Sequence, residues 1–143
     1  SLKKDFNIKS PKIIISGLNP HAGENGAIGS EEKKIIIPIL NKIKKMNIYI
    51  DGPSSADSIL IDQNLDQYHC FLFIYHDQAL IPFKYISKFS GVNYTGNLSI
   101  IRTSPDHGTA YNLVGTKKFS NKSIINCFNL VNKIFLNRKK NDT

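Results

Sequence analysis

A chain of 143 residues, 41% of them apolar and 21% charged, is long enough for one domain with a core and too apolar for disorder. The formal charge of +8 points first to nucleic acid, but much of the excess lies at the ends, in Lys3, Lys4, Lys9 and Lys12 and in Lys133, Arg138, Lys139 and Lys140. Such ends read as solvated tails, so no nucleic-acid partner is expected, while use of the charge to hold a small anionic substrate stays open.

Residues 1–9 read as the end of a helix that Pro11 closes, since a residue before proline is pushed out of the helical region. The chain starts at Ser1 without a methionine, inside that apparent helix, which predicts a fragment, and SLKKDFNIKSPK has neither a signal-peptide nor a transit-peptide pattern. Lys12 to Ser16 (KIIIS) is β-branched without alternation, as in a strand covered on both faces. Gly17 to Gly29 (GLNPHAGENGAIG) follows as a strand-to-helix loop with four glycines and a histidine. Ser30, Glu31 and Glu32 open a helix, a small cap followed by acids that suit the positive helix end. Ile35, Ile36, Ile39, Leu40 and Ile43 continue it at helical spacing, and Pro38 inside it predicts a kink.

Ile48 to Ile50 reads as a second strand, DGPSSADS as a loop and Ser58 to Leu65 as helix. Cys70 to Tyr75 (CFLFIY), the most apolar run, reads as the central strand, and residues 79–90 as an irregular loop or short helix. A strand is expected near Leu98 to Arg102, then the loop TSPDHGTAYN, then a last helix from about Ser123 to Leu136 and a basic polar tail over 137–143. Cys70 and Cys127 lie far apart in apolar contexts with no CxxC pair, so they read as buried free thiols in a reducing compartment. No apolar run approaches the ~20 residues of a membrane span. A cytoplasmic protein without a membrane partner is expected.

The alternation of strand, loop and helix predicts an α/β fold, a mostly parallel sheet flanked by helices. Ligands of such sheets sit beyond the carboxyl ends of the strands. That singles out His21, Asp57, His76, Asp77, Arg102 and His107. His21, His76 and His107 each follow a predicted strand with an acid within three positions, whereas His69 precedes its strand and reads as a plain boundary residue. One such histidine reads as a hydrogen-bonded loop residue; several beside acids raise a metal site, because imidazole is a common ligand and its other nitrogen wants a carboxylate. Glu24 and Asp77 are candidates for that partner. Lys84 and Arg102 are the basic residues near these loops. A guanidinium at the end of an apolar strand suits a carboxylate or phosphate ligand, the alternative being an ion pair with Asp57 or Asp106.

The stretches GLNPHAGENGAIGSEE, DGPSSADS, YHDQALIPFKY and GVNYTGNLSIIRTSPDHGTAYN, in that order, resemble the 4-hydroxythreonine-4-phosphate dehydrogenase family of pyridoxal phosphate biosynthesis. The resemblance runs from about residue 1 to 136 and covers the C-terminal portion of a family member. It implies one half of a fold like that of the isocitrate and isopropylmalate dehydrogenases, with the family's N-terminal domain absent. It implies NAD- or NADP-dependent and divalent-metal-dependent (zinc, magnesium or cobalt) oxidation of 4-phosphooxy-L-threonine to 2-amino-3-oxo-4-phosphooxybutanoate, which loses carbon dioxide to give 3-amino-2-oxopropyl phosphate.

By the same resemblance His21 and His76 are metal ligands, with a third histidine upstream. Lys84, Asn93 and Arg102 bind substrate, and Asp57 and Asp77 support the site. His107 matches a family position that is not a ligand and falls on the cofactor side with Ser104, Asp106 and Asn112. The family is homodimeric with a shared active site, so this chain alone is expected to be inactive or nearly so. The readings that compete are a related dehydrogenase of a four-carbon phosphorylated sugar acid and a non-catalytic metal- or anion-binding remnant.

Overall fold

The structure is a computed structural model, and it describes residues 1–116 and 118–141, the side chains of Asp62, Asn112 and Asn141 excepted. The chain divides into a sheet unit, Lys9–Ile81, and a ribbon unit formed by Ser1–Ile8 with Pro82–Thr143.

In the sheet unit the β-branched run forms β1 (Lys12–Ser16), which pairs in parallel with β2 (Tyr49–Ser54) on one side and β3 (Cys70–Leu72) on the other. The order β2-β1-β3 makes β1 the central strand and corrects the reading of CFLFIY as central. Pairing of β3 stops at Leu72, opposite Ile15, because β1 is ending there. Ile14 and Ile15 point to opposite faces and both are buried, as a strand covered on both sides requires. The terminal His69 side chain accepts the Lys12 N–H through Nδ1 at 3.1 Å, a boundary role.

Leu40 packs against Ile15 and Ile50, with Ile13, Ile36 and Ile43 around them. Leu40 comes from α1 (Ile37–Lys44), which follows a π-helical turn at Glu32–Ile36. The expected conflict at Pro38 disappears there. The wider turn gives the ring room, and the proline falls in the first turn of α1, where no N–H partner is required. Ile35 and Ile39 remain exposed, so three of the five residues of the apolar stripe, Ile36, Leu40 and Ile43, face this core.

β2 runs on into Gly52 and Pro53, residues expected in a loop, and brings Gly52 against β1. A Cβ on Gly52, at φ +114°, would lie 2.4 Å from the Ile15 carbonyl oxygen. Gly52→Ala is therefore expected to destabilise the chain by more than about 1 kcal/mol, read as a lower urea midpoint. α2 (Asp62–Gln67) is shorter than expected and starts later. α3 (His76–Ser87) settles the choice of irregular loop or short helix at 79–90 in favour of helix, and it begins earlier than expected.

The ribbon unit holds an antiparallel pair, β4 (Val92–Thr95) and β5 (Arg102–Pro105), packed against α4 (Lys122–Asn141). β4 was not foreseen, and β5 begins where the expected strand was to end. Residues 1–9 form turns rather than a helix. α4 passes the expected boundary at 136, so residues 137–141 are helical, and Arg138 is no solvated tail residue: its Nε donates to the buried Asp5 carboxylate at 2.6 Å. Ser123, Cys127 and Ile134 share the buried face of α4. Both cysteines are free, Cys127 buried and Cys70 only partly so, which corrects the expectation of two buried thiols. No described helix is long and apolar enough to cross a membrane.

Candidate functional site

The loop after β1 folds into a left-handed turn. His21, Ala22, Gly23, Glu24 and Asn25 all have positive φ, between 41° and 79°. Each L-residue held there costs about 1–2 kcal/mol, so something outside the turn must hold it. The Glu32 carboxylate lies directly beneath and is 4% exposed. Its Oε1 accepts the N–H groups of Leu18 (2.8 Å) and Asn19 (2.7 Å), and its Oε2 accepts the Asn19 side-chain amide at 2.8 Å. Burial pushes the Glu32 carboxyl upward, but these donors outweigh it and hold the group below the usual carboxylate range. The same Asn19 amide reaches Glu31 at 2.7 Å, and this bond, first among its causes, lowers Glu31 as well.

His21, at the start of the turn, opens onto a cleft of about 240 Å³ that it shares with Asn19, Ser55, Asp57 and Gln78. Ser55 donates to Asp57 at 2.6 Å and holds that carboxyl low, with a smaller contribution from His21. The acid beside His21 is thus Asp57, whereas Glu24 stands exposed within the turn.

The N-terminus of α3 is tied to the end of β1 through Gln78. Its Oε1 accepts the Ser16 hydroxyl at 3.0 Å, and its amide donates to the Gly17 carbonyl at 3.2 Å. Ser16, fully buried, in turn accepts the Ile74 N–H. These bonds fix where His76 and Asp77 begin. His76 Nδ1 donates to Asp77 Oδ1 at 2.8 Å, and both side chains are otherwise open to solvent.

In the ribbon unit the register sets Asn93 opposite Ser104 and Thr95 opposite Arg102. Directly paired residues, and residues two apart on one strand, share a face. Asn93, Arg102 and Ser104 therefore lie together on one side of the ribbon, while Tyr94 points to the other, toward Asp5. Arg102 Nη1 donates to Thr95 at 2.8 Å. The ion pair of Asp106 is made by Lys84, at 3.3 Å, rather than by Arg102. Asp106 itself is anchored by Ser123, whose hydroxyl it reaches with its N–H at 3.2 Å.

His107 lines a separate, mostly apolar cavity of about 750 Å³ with Phe89, Leu113, Val114 and Phe119. The Asn112 side chain lies outside the described residues.

The expected residues thus gather as two sets, His21, Asp57, His76 and Asp77 in the sheet unit, and Lys84, Asn93, Arg102, Ser104, Asp106 and His107 in the ribbon unit. Among the described residues no three His, Cys, Asp or Glu side chains converge as a metal cage. The sequence reading missed Ser16, Asn19, Glu32, Ser55 and Gln78. Gln78 sits inside the YHDQ stretch but carries no charge to draw notice, and Glu32 reads as an ordinary first-turn acid.

Residues 1–131 match the family model described as pyridoxal phosphate biosynthetic protein PdxA. The chain is 41% identical over 139 residues to a 4-hydroxythreonine-4-phosphate dehydrogenase of Bacteroides thetaiotaomicron, covering 97% of this chain and 38% of that protein. It is 50% identical over 117 residues to the protein of that name from Zymomonas mobilis, covering 82% and 35%. The crystal structure of 4-hydroxythreonine-4-phosphate dehydrogenase from Klebsiella pneumoniae superposes with a TM-score of 0.76 at 33% identity, over 96% of this chain and 40% of that one. The chain therefore spans close to two fifths of the length of the relatives it matches.

Proposed function

The chain belongs to the family of the pyridoxal phosphate biosynthetic protein PdxA, and from that premise we propose that it carries the metal-ligand and phosphate-binding part of a 4-hydroxythreonine-4-phosphate dehydrogenase. The reaction is oxidation of 4-phosphooxy-L-threonine. Hydride passes from the hydroxyl-bearing carbon to the nicotinamide of NAD or NADP, and the hydroxyl proton is released. The new carbonyl stands β to the carboxylate, so carbon dioxide leaves with its bonding pair passing into the carbonyl as an enolate, and a proton taken up at the α-carbon gives 3-amino-2-oxopropyl phosphate.

The observation that carries this reading is the His76–Asp77 pair. With Nδ1–H given to Asp77, the lone pair of Nε2 is free and aimed outward, the tautomer a ligating histidine needs. His21, beside the anionic Asp57, offers a second imidazole in a cleft whose charge favours a cation. This donor set fits a divalent metal such as zinc, magnesium or cobalt, with His21 and His76 holding it. Two imidazoles fall short of a full set; the family resemblance implies a third histidine in the upstream part of the family protein and a site shared with a second copy. When bound, such a cation acts as a Lewis acid on the substrate hydroxyl.

Arg102 and Asn93, on one face of the ribbon, and Lys84, oriented by Asp106, supply the charge and donors for the phosphate or carboxylate. The apolar cavity at His107, with Ser104 and Asp106 on the same unit and Asn112 in sequence nearby, is the cofactor side. The test is co-expression with the N-terminal part of a family relative, addition of divalent metal and 4-phosphooxy-L-threonine, and measurement of NADH or NADPH. Metal-dependent turnover that disappears in His21→Ala and in His76→Ala is expected. Silence from a folded, metal-loaded complex sinks the proposal.

A further inference from the structure

We infer that Glu32 is the positioning residue for His21: its carboxylate is the template on which the Gly17–Gly29 loop closes into the left-handed turn. Three donors from Leu18 and Asn19, at 2.7 to 2.8 Å, converge on this one buried side chain. The loop also fits it sterically. A Cβ on Gly23 would sit 2.7 Å from Glu32 Oε2, and one on Gly17 3.2 Å from Oε1. Two of the loop's glycines are thus the gaps through which backbone approaches the carboxylate.

The anchor is rigid on its own side, because Glu32 begins the π-helical turn that leads into α1 and so into the core around Leu40. Secondary bonds then lock the turn: Ala22 N–H to the Asn19 carbonyl, Ala27 N–H to Glu24 and Ile28 N–H to Gly23, at 3.1 to 3.2 Å. Asn19 is the link between the two, since it meets Glu32 through both backbone and side chain and caps Ala22 with its carbonyl. Glu32 touches no reacting group. Its effect reaches chemistry only through His21, and that last step rests on the reading of His21 as a metal ligand.

A glutamine at 32 keeps the shape but turns one acceptor into a donor. It faces the Asn19 amide, and that amide cannot reverse without giving up Glu31. The experiment uses the 143-residue chain, wild type and Glu32→Gln, in two measurements. Amide hydrogen exchange is followed at Leu18, Asn19, Ala22 and Ile28, with Ile15 and Ile50 as core references. Zinc alone is then titrated against the His21 ring resonances.

The expected result is exchange at the four loop amides at least about 10-fold faster in the variant, core amides unchanged, and zinc affinity at His21 weaker by about 10–100-fold, the range seen when support of a ligand is lost. Gly23→Ala, which keeps the carboxylate but blocks the approach, gives the same loop signature. The inference is overturned if loop exchange and His21 are as in wild type, or if protection falls equally at Ile15 and Ile50, which would make Glu32 a general stability residue. Wild-type chain whose His21 ignores zinc would count against the metal reading alone, and the exchange measurement would still decide the role of Glu32.

Discussion

Replacing Asp5 with alanine is expected to destabilise the ribbon unit by about 3–5 kcal/mol, the usual result of removing one partner from a buried ion pair. Asp5 is 2% exposed and takes the Arg138 guanidinium at 2.6 Å together with the Tyr94 hydroxyl. Its loss strands a largely buried cation, left among the described residues with the Ser99 carbonyl, at 2.9 Å, and the Tyr94 hydroxyl. It also removes the carboxylate that joins the N-terminal turns to β4 and α4, leaving the Phe6–Tyr94 edge-to-face contact and the Asn137 amide on the Asp5 carbonyl, at 2.8 Å, as the remaining ties there. The bond from Arg138, opposed by burial and aided by Tyr94, lowers the Asp5 carboxyl below the ordinary range. A depressed folded value means the unfolded chain binds the proton more readily, so this stabilisation is complete above the unfolded value of about 3.9 and is lost as pH falls through the folded one. The gap between wild type and Asp5→Ala, measured by denaturant melts, should therefore be constant near neutrality and close in acid. Glu31, Glu32 and Asp57 are also lowered but are common to both proteins and cancel. A gap that does not change with pH would show that packing, and not the ion pair, carries the effect. The double change Asp5→Leu with Arg138→Met should recover much of the loss, because an apolar pair has no desolvation cost to offset.

What the sequence disclosed depended on whether a residue's partner was local. The run KIIIS declared β1 because strand chemistry is written in the strand itself, and the resemblance singled out His21 and His76 because both sit in distinctive stretches. Arg138 could not be read, since nothing in a basic C-terminal run points to an aspartate 133 positions earlier. Glu32 was hidden for a different reason: acids at a helix start have a sufficient local explanation in the helix dipole, and that explanation masked a bond to a preceding loop. β4 is four residues of mixed polarity, VNYT, whose strand character comes from its partner β5. The CFLFIY run overstated its strand because hydrophobicity does not record the length of the neighbouring strand, and Leu72, Ile74 and Tyr75 stand exposed in this chain. Once β1 ends, the Ser16 hydroxyl takes over the Ile74 N–H and pairing stops. The left-handed turn had one visible sign, the glycine spacing, while its four L-residues at positive φ gave none.

Leu40→Ala is the second large effect, expected at about 2–5 kcal/mol in the sheet unit. Leu40 is 3% exposed and is the side chain by which α1 meets both β1, at Ile15, and β2, at Ile50. Truncation removes its transfer energy and leaves a cavity between elements that cannot collapse freely, because the strands are fixed in register by their own ladder. At about 4–8 °C per kcal/mol for a unit of this size, the melting temperature should fall by about 8 °C or more. Leu40→Met, which conserves volume, should cost less than about 1.5 kcal/mol, and so separates a cavity from a general sensitivity of the helix. The consequence for the site follows from topology. β1 leads directly into the loop that carries His21, β2 leads into Ser55 and Asp57, and the helix that carries Leu40 continues directly from the π-helical turn that begins with the Glu32 anchor. A cavity at Leu40 therefore loosens the support of all three at once. Leu40→Ala should raise exchange at Ile15 and Ile50 as well as in the loop, whereas Glu32→Gln raises it in the loop alone. Equal stability of the alanine and methionine variants would mean that α1 is held elsewhere, and the route from the core to His21 would have to be sought in Gln78 and Ser16 instead.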